Sequence, residues 1–298
     1  MKSNQTKTFG NWWELRSESQ DEQSQTLEVL QGMTLEALNC TAPRGSCLGR
    51  NQSGLMCFYK SCNRLFRDMN PLPPIIFLHG LATSGQRTWG VNGWLDLVTE
   101  ANRSAIIIDM PGHGDAYNNV QNATFEKTIS YIFDQFPDTP IDAVGFSLGA
   151  RILLTIASQN SSRFRKLVVS GVGENLFTRD YERGKRISEA ISGQNQLEDP
   201  ESQYFSQLAD APDINRETVL QLMRSPMTDL NTDMISKIEC PVLVALGDRD
   251  FAGPASRLVE ALPYGTYLEL RGVDHFATPK DFSFIDATLK FLDAEPKW

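Results

Sequence analysis

The 298-residue chain has only three histidines, five cysteines and no apolar run long enough to cross a bilayer. A spanning helix needs about 20 predominantly apolar residues, so a membrane is not expected as a partner. The segment Met1 to Gly10 has no apolar core, so no signal peptide is expected and the chain is read as cytoplasmic. In that setting the odd set Cys40, Cys47, Cys57, Cys62 and Cys240 reads as reduced thiols, not as a disulfide framework. Its spacing matches neither a zinc ribbon nor a Cys-x-x-Cys redox pair. G-x-x-x-x-G-K and H-E-x-x-H are missing too, so neither a metal nor a cofactor is expected. Positive charge is also short. With 28 Lys+Arg against 37 Asp+Glu the formal net charge is −9, which argues against nucleic acid as the main partner. The expected partner is a small-molecule substrate, and oligomeric state is left open.

What is present is an ordinary globular composition, 41% hydrophobic and 22% charged, in a chain long enough to bury a core without staples. Residues 1–42 are polar and rich in Gln, Ser and Glu, and read as an N-terminal extension. Leu27, Leu30, Leu35 and Leu38 could line one side of a short helix within it. Residues 43–298 read as the main domain. Cys47 to Phe66 suits two strands around Asn51-Gln-Ser-Gly54. The joint Asn70-Pro-Leu-Pro-Pro74 then launches Ile75-Ile-Phe-Leu78, an apolar β-branched run of the kind a buried parallel strand shows.

The same signature recurs at Ala105 to Ile108, Ile141 to Val144, Leu167 to Ser170, Val242 to Leu246 and Thr266 to Leu270. Helical patterns separate several of these runs, over Trp94 to Ala101, Thr124 to Phe136, Leu148 to Gln159 and Ala255 to Leu262. Alternating strands and helices predict a doubly wound, mostly parallel α/β sheet. One interval breaks the rhythm. Glu174 to Glu239 carries only helical pattern, with pieces at Arg179 to Ile191, Gln203 to Leu208 and Arg216 to Met223. An insertion of that length is more often a functional subdomain than a bare loop.

Gly145-Phe-Ser-Leu-Gly149 lies between a predicted strand and a predicted helix, the context that turns G-x-S-x-G into a nucleophile elbow. Ser147 is thereby the candidate nucleophile, at a helix N-terminus that favours developing negative charge. His79-Gly80-Leu81 follows an earlier strand, where the backbone N–H of Leu81 could join that of Leu148 in an oxyanion hole. His79 itself reads as a structural anchor of that loop. The base must come from His79, His113 or His275. The chain order of nucleophile, acid and base that accompanies this elbow selects His275. The orienting carboxylate lies in Gly247-Asp-Arg-Asp-Phe251. Asp250, further into the loop, is preferred over Asp248, which would cap the turn through its own backbone. Glu174 stays a third candidate, and Asp274 is too near His275 in sequence to orient it.

Together, Ile75 to Gly80, Ile108-Asp-Met-Pro-Gly-His-Gly114, Gly145 to Gly149, Gly247 to Asp250 and Gly272 to His275 resemble the α/β-hydrolase superfamily over residues 45–295. The resemblance implies the α/β-hydrolase fold, Ser147, Asp250 and His275 as the triad, Leu81 and Leu148 as oxyanion donors, and a helical cap over about residues 174–239. Two features depart from the usual pattern or add to it. Ala150 stands where a glycine is common. Arg151 stands where the menaquinone-pathway lyase of this fold commonly has an arginine, although pairing with a carboxylate at the helix surface is the plainer reading. Arg183, Lys185 and Arg186 read as a solvated face or as contacts to an acidic substrate. Phe177, Tyr181 and Tyr204 are the candidate substrate-binding residues of the cap. The expected function is hydrolysis of a small, mostly apolar ester, thioester or lactone through an acyl-enzyme. A lyase using the same triad as a base, and a non-catalytic receptor, are the alternatives.

Overall fold

The computed structural model describes residues 72–193, 199–227 and 229–297. The expected N-terminal extension and the two expected strands between Cys47 and Phe66 lie outside the described residues.

Six strands form one sheet: β1 Ile75–Leu78, β2 Ala105–Ile108, β3 Ile141–Phe146, β4 Phe164–Ser170, β5 Val242–Gly247 and β6 Gly265–Leu270. Their spatial order is β2-β1-β3-β4-β5-β6, and every pairing is parallel. Parallel neighbours need crossovers, and helices supply them. In chain order these are α1 Trp94–Glu100, α2 Phe125–Phe133, α3 Leu148–Gln159, α4 Tyr181–Ser192, α5 Pro200–Ala209, α6 Arg216–Arg224, α7 Thr232–Ile235, α8 Ser256–Ala261 and α9 Phe282–Phe291.

Side chains alternate across the sheet, as the two-residue period of a strand requires. Ile76, Leu78, Ala143, Leu167, Val169, Val242 and Val244 face a core completed by α2, α3, α7 and α8. Ile75, Phe77, Val144, Val168, Leu243 and Ala245 face a second core with Trp94 from α1, Phe284 from α9 and Trp89 from the turn Gln86–Gly90. Burial on both faces explains why the central strands read as continuous apolar runs. Two of the six depart from that reading. β2 and β6 are the sheet edges, and their residues are mostly half-buried or exposed. Thr266, Tyr267 and Glu269 of β6 are exposed, and among the described residues no strand pairs beyond β6.

Helix limits follow their caps. α4 starts at Tyr181 and not at Arg179 because the Asp180 carboxylate accepts the Arg183 N–H. α5 starts earlier than expected, with Asp199 as cap and Pro200 in its first turn, a position where the missing N–H costs nothing. Asn215 caps α6 in the same manner. The short α7 and the C-terminal α9 were not singled out by the sequence pattern. α4, α5 and α6 bury Ile187, Ile191, Phe205, Val219 and Leu220 in a third core, against which Leu81 and Phe276 pack from the loops above the sheet.

Candidate active site

Ser147 sits where β3 ends and α3 begins, at φ 55° and ψ −113°. Those angles are costly for a residue with a Cβ and persist only where the surroundings impose them. Two glycines show how. A Cβ on Gly145 would meet the Ala150 backbone at 2.8 Å, and one on Gly149 would meet the Leu78 and His79 carbonyl oxygens at 2.5 Å. The turn is therefore as tight as two missing side chains allow. The Ser147 N–H donates to the Ser170 carbonyl at 2.8 Å, which holds the turn to β4. Ala150 leaves this packing intact.

The carboxyl ends of β5 and β6 deliver the other two side chains. His275 Nε2 lies 3.0 Å from Ser147 Oγ, and His275 Nδ1 lies 2.9 Å from both Asp250 oxygens. The His275 side chain is 3% exposed and that of Asp250 is fully covered. Asp250 is fixed by the Ala252 N–H at 2.8 Å. Phe251 stacks on the imidazole with ring centres 4.1 Å apart, and Phe146 closes the other side at 4.8 Å.

The remaining carboxylate candidates are engaged elsewhere. Asp248 accepts the Gly272 N–H at 2.7 Å, so it ties the β5 loop to the β6 loop and does not cap its own turn as expected. Glu174 receives Thr178 and Arg257. Asp274 accepts the Ala277 N–H.

Leu148 is the first residue of α3, so its N–H has no acceptor within the helix. Gly80 brings the other loop close: a Cβ there would lie 3.4 Å from the Ser147 Cβ. Leu81, next in that loop, lines both cavities that reach Ser147. Two buried histidines brace the loop. His79 donates from Nδ1 to the Gly80 carbonyl at 2.7 Å and accepts the Met110 N–H at 3.1 Å. His113 donates from Nδ1 to the Pro111 carbonyl at 2.9 Å and accepts the Ala82 N–H at 3.2 Å. Ala82 has a positive φ of 57°, a strained geometry that this bond helps hold.

Burial keeps both rings neutral, lowering His79 to about 4 and His113 to about 3. A base whose folded pKa lies below its unfolded value near 6.5 binds fewer protons when folded. Stability is therefore full above that unfolded value and is lost as pH falls from about 6.5 toward 4. Each ring contributes a slope of about 1.4 kcal/mol per pH unit in that window. We expect urea midpoints to fall between pH 6.5 and pH 5, before most carboxylates titrate. A flat midpoint across that interval would contradict the assignment of two neutral buried histidines.

Among the described residues two cavities reach Ser147. The larger, about 870 Å³, is walled by Arg151, Val172, Arg179, Phe205, Met227 and Phe251, among others. The smaller, about 230 Å³, includes Thr83, Arg87, Asn92, Tyr204, His275 and Lys280. Arg151 differs from its plainer reading. It is largely buried and, among the described residues, has no carboxylate in salt-bridge contact: Nη2 donates to the Asn175 carbonyl at 2.7 Å, and Nη1 is buried without a hydrogen bond. Burial, with Arg179 nearby, lowers its pKa to about 10, still fully charged at neutral pH.

Arg183 is not on a solvated face. It pairs with Glu201 and lies 3.7 Å over the Phe251 ring. Of the cap candidates, Tyr181 is largely exposed at the larger cavity and Tyr204 stacks on Phe276 at 3.9 Å in the smaller one. Phe177 is a correction. It packs on the main core beneath Arg257 and lines neither cavity. Phe205, among the apolar cap side chains expected to face the substrate, lines both cavities, whereas Phe251 and Phe276 were missed. The signal for both was adjacency to Asp250 and His275.

A family model described as "alpha/beta hydrolase fold" matches residues 73–184. A curated relative from Photorhabdus laumondii, 2-succinyl-6-hydroxy-2,4-cyclohexadiene-1-carboxylate synthase, is 30% identical over 129 residues. That alignment covers 42% of this chain, which thus spans under half of the relative, 44% of its length. Solved structures with similar folds include a hydrolase from Pseudomonas aeruginosa PA01, with TM-score 0.60, 17% identity and coverage of 75% of this chain and 91% of that one. MenH from S. aureus has TM-score 0.58 and 21% identity, with coverage of 76% and 95%. By its strand order, its family match over residues 73–184 and these structural likenesses, the chain has the alpha/beta hydrolase fold.

Proposed function

We propose that the protein is a serine hydrolase that cleaves a carboxylic ester, thioester or lactone through an acyl-enzyme on Ser147. The observation that carries this reading is the unbroken chain Ser147–His275–Asp250, with 3.0 and 2.9 Å links, on a strained elbow. Ser147 Oγ attacks the carbonyl carbon while His275 Nε2 takes its proton. Asp250 holds the imidazolium and keeps Nδ1 as the donor toward itself. The N–H groups of Leu81 and Leu148 receive the oxyanion. His275 then gives its proton to the departing oxygen or sulfur. Water, activated by the same imidazole, releases the acid. The helices α4 to α6 act as a cap whose inner side chains select the substrate.

Mass spectrometry tests this directly. Brief reaction with a short p-nitrophenyl ester should add one acyl mass to a peptide containing Ser147. An unmodified peptide during steady turnover would remove the acyl-enzyme from the mechanism.

A second reading has its own observation. Arg151 places a buried guanidinium with an unpartnered Nη1 in the wall of the larger cavity, and the Photorhabdus relative is described as a synthase of a carboxylate. In this reading the triad serves as a base on an acidic substrate and no acyl-enzyme forms. Arg151→Ala should then cost about 1.5–3 kcal/mol of transition-state binding, the scale of a charge-assisted hydrogen bond, read as kcat/KM on an acidic substrate. Full activity of that variant would leave the lyase reading without its motive.

A further inference from the structure

Resting on the hydrolase reading, we infer that the two cavities at Ser147 have fixed and different duties: the smaller receives a short anionic leaving group and the larger the acyl part. The argument starts from proton transfer. The group that departs must lie within hydrogen-bond reach of the imidazole that protonates it. His275 lines the smaller cavity and not the larger. Leu148, a proposed oxyanion donor, lines the larger, and Leu81 stands between the two. A tetrahedral carbon on Ser147 with its oxyanion on these N–H groups therefore directs its leaving group toward Phe276 and Lys280. Its acyl substituent points toward Val172 and Arg151.

The volumes then set size. The smaller cavity, about 230 Å³, has room only for a short group. The larger, about 870 Å³, is in the range of a drug-sized moiety.

Charge sets chemistry. Among the described residues the wall of the smaller cavity holds Arg87 and Lys280 and no carboxylate, in a chain whose net charge is −9. Arg87 is anchored by Asp213, which lies outside that wall. Lys280 has no ion pair among the described residues and is exposed at the mouth. Thr83, Thr88 and Asn92 add hydroxyl and amide groups. This lining suits the alcohol half of a short hydroxy-acid ester better than an apolar or cationic alcohol.

The experiment compares butanoyl esters of glycolate, ethanol and choline, and then ethyl esters of graded acyl size. We expect kcat/KM to favour glycolate over choline by about tenfold or more, the size of one discriminating charge contact. Lys280→Gln should shrink that ratio at least threefold. Larger acyl groups should be tolerated and larger alcohols rejected. Equal or reversed charge preference, or tolerance of bulky alcohols with rejection of bulky acyl groups, overturns the orientation while leaving the acyl-enzyme intact. Absence of any acyl-enzyme with all of these esters instead overturns the hydrolase reading, and this inference with it.

Discussion

Ser147→Ala should lower kcat on the best ester substrate by about three to six orders of magnitude with little change in KM. The large figure follows from geometry. Ser147, His275 and Asp250 form one hydrogen-bonded relay, so in the proposed mechanism removing Ser147 also idles His275 and Asp250. The His275→Ala variant should lose a similar factor, and the double variant little more than either. That non-additivity is the signature of groups acting as a unit. Asp250→Asn should keep the packing and still lose activity, because an amide can offer an N–H to Nδ1 and reverse the tautomer. The Ala variant removes one hydroxyl from a residue outside the cores, so near-native stability is expected beside the lost turnover. Single-turnover rates of purified wild type and Ser147→Ala, each checked by thermal unfolding, decide the matter. Equal rates would remove Ser147 from the reaction.

Much of this arrangement was legible in the chain, for physical reasons. A strand buried on both faces is apolar over most of its length, so β1, β5 and the apolar stretches of β3 and β4 announce themselves. The elbow is legible because only glycine fits at 145 and 149, where a Cβ would strike backbone. His275 is legible by elimination among three histidines. The edges were not legible. Tyr267 in an edge strand looks, in one dimension, like Tyr267 in a central one. Phe177 was misread because an apolar residue on an inserted segment can face the cleft or the core, and periodicity does not tell which. Arg151 was misread for the same reason. A helix position fixes the direction of a side chain but not whether a loop such as that at Asn175 folds over it.

Asp142 was equally invisible as a functional partner of anything, since its companions lie 39 residues before it and 23 after. Its carboxylate is fully buried in β3 and accepts Arg103 Nη2 at 2.5 Å and Arg165 Nε at 2.8 Å. The two guanidiniums also donate to the carbonyls of Pro73 and Leu292, tying the start of the sheet to the end of α9. Asp293 extends the network to Lys166. Removing Asp142 would leave two cations facing each other, one of them, Arg103, with a side chain only 3% exposed. Loss of one partner from such a buried set costs about 3–5 kcal/mol, whereas the intact set contributes much less than its Coulomb energy because desolvation opposes it. We therefore expect Asp142→Ala to lose about 3–5 kcal/mol in urea unfolding at pH 7. Asp142→Asn, which keeps hydrogen-bond capacity but not charge, should fall between it and wild type. Asp293→Ala should cost less than about 1 kcal/mol, because that carboxylate is 41% exposed and water screens its pairs. The ordering matters more than the values. If Asp293→Ala destabilised as much as Asp142→Ala, the exposed end of the network, and not the buried carboxylate, would be what holds the C-terminal helix to the sheet.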